Sequence, residues 1–365
     1  MKKLLIMAMC IATGMTFSQE KHENDHNEQI ILPNNITVEG QIGMIDKTSG
    51  TPVGVVLFVN HFTPNLAAGE VDQVLMPEDF VKKGRNKVAV RQVGDQNKAR
   101  GFQLGLGNMS LIRQNNTNFL LGQVGNLAST IQLGFDNGAD IKQFGDDNKG
   151  HIGQMGTGNY AVQNVGGDKR MAAEGNLAYA GQVGNNNRTS QKQRYDNNEA
   201  TAWSYGDGNK IVQDQSSGPN QSSGSVAFVN QVGNENAAQQ KQIGSNNYAS
   251  AYQTGDGNTS LETQTMIGDS SEFMNLSTVN QVGNKNISSV TQYSNMGNNS
   301  SLVNQFGNGN SSLVRQATLE AKSASCVKQK GNSNTAIPST ASTSNTMHIV
   351  FINLWHIKID HMTYF

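Results

Sequence analysis

Through the long middle of the chain, polar and apolar positions alternate with a period of two. Asn137 is followed at every second residue by Ala139, Ile141 and Gln143, Asn286 by Ser288, Val290 and Gln292, and Asn310 by Ser312, Val314 and Gln316. Successive side chains of an extended strand point to opposite faces, so the asparagine, the small residue, the aliphatic residue and the glutamine of each set share one face. After each glutamine the alternation stops at a short stretch rich in Gly, Asp and Asn, as at Asp146-Asp147 and Asp256-Gly257, which reads as a turn. The pattern predicts strands of about seven residues joined by turns of about four.

Strand and turn belong to one recurring string, Gln-x-Gly-x-x-Asn. Strict copies begin at Gln92, Gln103, Gln132, Gln143, Gln154, Gln182, Gln231, Gln242, Gln253, Gln281, Gln305 and Gln329. Their asparagines include Asn97, Asn108, Asn137, Asn148, Asn159, Asn187, Asn236, Asn247, Asn258, Asn286 and Asn310. Their glycines include Gly94, Gly105, Gly134, Gly145, Gly156, Gly184, Gly233, Gly244, Gly255, Gly283 and Gly307. Many copies lie 11 residues apart, and Gln114, Gln193, Gln264, Gln292 and Gln316 each fall 11 beyond a strict copy. Ser204, with Gly206 and Asn209, carries the same frame from Gln193 to Gln215. The array runs from Val88 to Asn334, and its phase is reset near residues 115–131, 160–181, 216–230 and 265–280.

One 11-residue unit cannot enclose a core, but two make a rung with facing strands. The expected fold is therefore all-β, a β-solenoid of strand-turn-strand rungs of about 22 residues, with about eleven rungs stacked at roughly 4.8 Å. In such a stack each inward Gln or Asn meets its own kind above and below, and an amide is donor and acceptor at once, so continuous ladders form. Left unpaired, a buried amide costs roughly 1 to 3 kcal/mol. The motif glycines supply the positive φ of a tight corner. Within the in-phase stretch, Gln242 and Asn247 are expected in ladders, and Lys241 and Ser245 at outward or turn positions.

Composition agrees with a thin interior. Of 365 residues, 36% are hydrophobic and 6% aromatic, 39 are glycine and the mean hydropathy is -0.50, which supplies a conventional layered core poorly. The 27 basic and 28 acidic residues leave a net charge of -1 and, spread thinly, predict no broad basic face for phosphates. So nearly neutral a chain also lacks the self-repulsion that keeps copies apart.

The array resembles the curlin repeat of bacterial curli subunits, whose unit is Gln-x-Gly-x-x-Asn-x-Ala-x-x-x-Gln. The stretches from Asn137 through Ala139 and Gln143 to Gly145, and from Asn247 through Ala249 and Gln253 to Gly255, carry the likeness, which covers most of residues 88–334. It differs from that family in its phase breaks, in Ser or Thr where Ala is usual, and in its larger number of rungs. The resemblance implies an extracellular functional amyloid, a curli-like fibre for adhesion and biofilm matrix, with this chain as major subunit or nucleator. Its implied partners are other copies of itself, related curli-like subunits, an outer-membrane export pore and chaperones, with no nucleic acid required and no cofactor. A monomeric β-solenoid adhesin, ice-binding protein or other surface-binding module is the alternative.

Outside the array, Lys2 and Lys3, the apolar run from Leu4 to Thr13 and Thr16-Phe17-Ser18 read as a secretory signal peptide over residues 1–18. Cys10 would leave with it, so that Cys326 remains as a thiol without an intramolecular partner. Residues 19–85 form a non-repetitive leader in which residues 53–59 are the most apolar run, read as a strand that caps the first rung or as a recognition segment for export. His22-Glu23-Asn24-Asp25-His26 matches the zinc-protease string, but its flanks are wholly polar and offer no face to dock in a catalytic domain. No nucleophile elbow, phosphate loop or paired-cysteine metal pattern occurs, so no enzyme is expected. After the solenoid, taken as residues 86–334, an atypical tail spans residues 335–365. Its aromatic residues 347–360 fit a capping strand, an anchor, or a tail from an altered reading frame.

Overall fold

The computed structural model describes residues 86–116, 125–166, 173–217, 223–267, 273–318, 322–342 and 346–353. The signal peptide, the His22 to His26 string and residues 53–59 lie outside them.

The described chain is all β. Its strands run where the alternation places them: in Gly138–Asp146, Ala139, Ile141 and Gln143 turn inward and are at most 1% exposed. The strands form two parallel sheets, A with 13 strands and B with 11. The chain passes from A to B and back, so each strand pairs in parallel with the strand one rung later in its own sheet. Lys87–Val93 heads the order in sheet A and Lys98–Leu106 in sheet B. Eleven strands follow one another along the stacking order of each sheet, as the expected rung number requires.

The rung period is not a uniform 22 residues. Lys87 pairs with Met109 and Gly138 with Tyr160, a step of 22, but Met109 pairs with Gly138 and Tyr160 with Arg188, steps of 29 and 28. Later steps settle at 24, as from Ile287 to Ser311, and the period averages about 24. The excess has one location. From sheet B to sheet A the motif position always advances 11 residues, as from Gln132 to Gln143 or Gln281 to Gln292. From A to B it advances 11 on one rung, Gln143 to Gln154, and 16 to 18 on the next, such as Gln114 to Gln132 and Gln215 to Gln231. All four phase breaks therefore fall at the same corner, on alternate rungs, where extra residues leave the ladder undisturbed.

The interior has three zones. Ile112, Ile141 and Ile152 fill the first rungs, and Val279, Val290, Val303, Val314 and Val327 the last. Between them sheet A turns Gln163, Gln191, Gln213, Gln240 and Glu262 inward, while sheet B offers Ala180, Ala202, Val229 and Ala251. A long amide opposite a small side chain keeps the sheet separation constant.

Each turn takes two left-handed residues for different reasons. Gly134 has φ +114, and a Cβ there would lie 2.1 Å from the Gly156 carbonyl oxygen of the next rung, so only glycine fits. Two residues on, Asp136 at φ 53 occupies a left-handed well that Asp and Asn tolerate.

The near-neutral total predicted no broad basic face, and the fold corrects that expectation by sorting charge. The outward positions of sheet A carry Lys87, Arg91, Arg113, Lys142, Arg188, Lys192, Arg194, Lys210, Lys241 and Arg315 against Asp140 and Asp214. Acids such as Asp95, Asp147, Asp207 and Asp256 stand at the corners instead.

Candidate functional site

The inward amides form hydrogen-bonded ladders along the stack. In sheet A, Gln92 Nε2 donates to Gln114 Oε1 at 2.8 Å and Gln114 to Gln143 at 2.8 Å. After an interruption at Val165, the ladder resumes from Gln193 through Gln215, Gln242, Gln264 and Gln292 to Gln316. In sheet B, Gln103, Gln132, Gln154 and Gln182 form one run. Ser204 breaks it, and Gln231, Gln253, Gln281, Gln305 and Gln329 form the next.

Both corners carry asparagine ladders. At the B-to-A corner, Asn108, Asn137, Asn159, Asn187, Asn209, Asn236, Asn258, Asn286, Asn310 and Asn334 follow one another. Asn137, for example, donates both its backbone N–H at 3.1 Å and its Nδ2 at 2.9 Å to Asn108 Oδ1. At the A-to-B corner the series is Asn97, Asn126, Asn148, Asn176, Asn198, Ser225, Asn247, Asn275 and Asn299. Each ladder residue named from the sequence thus has a ladder position in the structure.

The two kinds of ladder run in opposite directions. Glutamine Nε2 donates toward the C-terminal rung, whereas asparagine N–H and Nδ2 donate toward the N-terminal one. Backbone partners fix both orientations: Asn Oδ1 must accept a backbone N–H, and Gln143 Nε2 also donates to the carbonyls of Leu127 and Asn148.

Each restart leaves a mark. Gln193 and Gln231, which follow the breaks at Val165 and Ser204, have buried Oε1 atoms without a hydrogen-bond donor, and so has Gln163, the first inward glutamine of the third column. That third ladder runs from Gln163 through Gln191, Gln213 and Gln240 to Glu262. Glu262 Oε1 accepts from Gln240 Nε2 at 2.9 Å, while Oε2 has no hydrogen-bond partner. Full burial pushes this carboxyl up to about 8, offset in part by the Gln240 bond. The Ser277 hydroxyl favours the charge slightly although it lies outside hydrogen-bond geometry.

Sequence reasoning overlooked this third column, reading its position as aliphatic. It also overlooked an exposed series at the B-to-A corner in which backbone N–H groups donate to side-chain Oδ1 atoms, from Asn185 to Asp207, Asp207 to Asn234 and Asn234 to Asp256 at 2.7 to 2.9 Å. Asp or Asn recurring three residues after the motif glutamine was its signal. Ser245 was expected outward or in a turn and is 2% exposed. It does sit in a turn, but stacked turns cover one another, as at Asp196, which is 7% exposed.

The tail continues the stack: Thr346–Asn353 pairs in parallel with Lys322–Lys330, the capping-strand arrangement. At its register position opposite Gln329 stands Ile352, which has no amide to extend the ladder. Cys326 is buried, and burial pushes its thiol up to about 12. Among the described residues no group of three or more His, Cys, Asp or Glu is placed to hold a metal ion.

No protein-family model matches the chain, and a search of curated proteins finds no match.

Proposed function

We propose that the chain is a secreted structural protein that polymerises rung on rung into curli-like amyloid fibres, as major subunit or nucleator, for adhesion and biofilm matrix. The observation that carries this reading is a set of amide ladders that reaches an open first rung. Among the described residues no strand lies beyond Lys87–Val93, and the inward Val88 and Val90 there are 42% and 48% exposed. An edge with unpaired backbone groups and ladder acceptors is a template for another chain. Export in an unfolded state would keep that template from acting early.

The test is seeded elongation followed by fibre diffraction with a meridional spacing of about 4.8 Å. Replacing Gln242 and Asn247 by Ala removes one member from each of two ladders, a loss of roughly 1 to 3 kcal/mol apiece, and should slow elongation. Replacing the exposed Lys241 and Thr254 should leave it nearly unchanged. A β-rich chain that stays monomeric for days at fibre-forming concentration would instead favour the capped adhesin. The Ile352 position is the observation on that side, since it closes one ladder end.

A further inference from the structure

The geometry points to a second surface, independent of polymerisation: the outward face of sheet A as a docking track for a linear acidic polysaccharide. Register places Arg91, Arg113, Lys142, Lys192, Lys241 and Arg315 in one outward column, and all six are exposed. The first and last are nine rungs apart, about 43 Å at about 4.8 Å per rung.

Stacking cations of one sign opposes the fold. Arg91, Arg113 and Lys142 sit on adjacent strands in direct register, where like charges repel. The two acids on this face do little to relieve the column. Asp140 holds Arg113 at 2.7 Å, and Asp214 holds Arg194, outside the column, at 2.7 Å. Solubility alone would be met by interspersed signs. The acids are set at the corners instead, so the face keeps a field of one sign that complements an extended anion.

Charge spacing and chemistry select the anion. The column offers one cation every one to three rungs, about 5 to 15 Å apart, whereas duplex DNA carries a charge every 1.7 Å or so of its axis. No aromatic residue interrupts the column to stack an unpaired base. A polymer with isolated carboxylates along an uncharged backbone fits both facts.

The probe is polygalacturonate, with its fully methyl-esterified form as the uncharged counterpart and duplex DNA as the competing polyanion. Binding is measured on the full chain, soluble and as fibres, so that failure to polymerise does not touch the result. Replacing Arg91, Lys142, Lys192 and Lys241 by Gln should weaken polygalacturonate binding about tenfold or more and flatten its salt dependence, as fewer counterions are released. Replacing Lys98, Arg100, Lys149 and Lys328 on sheet B removes the same charge and should change binding by no more than about twofold. Equal losses in the two variants, equal binding of the esterified polymer, or tighter binding of DNA at the same salt each overturn the proposal. The unaltered chain gives an independent check, since salt-insensitive binding would overturn it as well.

Discussion

Glu262 allows the interior to be probed by pH alone. Its ordinary value is 4.5 and burial raises it to about 8, so between these values the folded stack holds a proton that the unfolded chain has released. Stability is then full below 4.5, falls as pH rises through the window, and levels off above about 8. At 1.36 kcal/mol per pH unit, the interval from 4.5 to about 8 corresponds to about 5 kcal/mol. Few other groups confuse the measurement. Ladder neighbours Gln240 and Val290 do not titrate, nor do Ala251, Ser277 and Val279 on sheet B, and the nearby Tyr248 hydroxyl is itself pushed up to about 12. Glu262→Gln replaces the carboxyl by the amide that the column carries in the preceding rungs. Denaturation midpoints at about pH 5 and about pH 9 should differ strongly for the natural chain and little for the variant. Equal midpoints in the natural chain, or the same fall in the variant, would refute the assignment of a buried proton to Glu262.

Ser204→Gln should join the two sheet B runs, giving Gln231 Oε1 its missing donor, and raise stability by about 1 kcal/mol in a denaturant titration. Gly134→Ala places a methyl group 2.1 Å from the Gly156 carbonyl at φ +114, and should lower the unfolding midpoint by an amount equivalent to more than about 2 kcal/mol. The Cys326 thiol should resist iodoacetamide at neutral pH in the folded chain and react fully in denaturant, as mass spectrometry would read.

The strand half of the motif was the legible half. Asn176, Ala178, Ala180 and Gln182 keep the Asn-small-aliphatic-Gln alternation through a phase break, as do Asn275, Ser277, Val279 and Gln281, so inward faces could be read even where the turn was lost. This recovers Asn126, Asn176 and Asn275 as ladder members, six residues before a glutamine. The turn was less legible because corner length is loosely constrained: a loop can lengthen at small entropic cost while its flanking strands stay in register. Charge sorting was hidden for a different reason. Arg91 and Lys241 are 150 residues apart in sequence, and stacking alone sets them in one column. Gln163 and Glu262 were missed because a core position can hold an amide as readily as a valine once the facing strand supplies alanine.

That the extra residues enter at one corner, on every second rung, bears on how such a gene can change. Gln92, Gln143, Gln193, Gln242 and Gln292 are 51, 50, 49 and 50 residues apart, so the heritable module is a block of two rungs rather than one motif. Unequal crossing-over between blocks adds or removes whole modules and rejoins strands at equivalent positions. Each event lengthens or shortens the molecule by about 9.6 Å, twice the strand spacing, and every column of amides and cations is carried through unbroken.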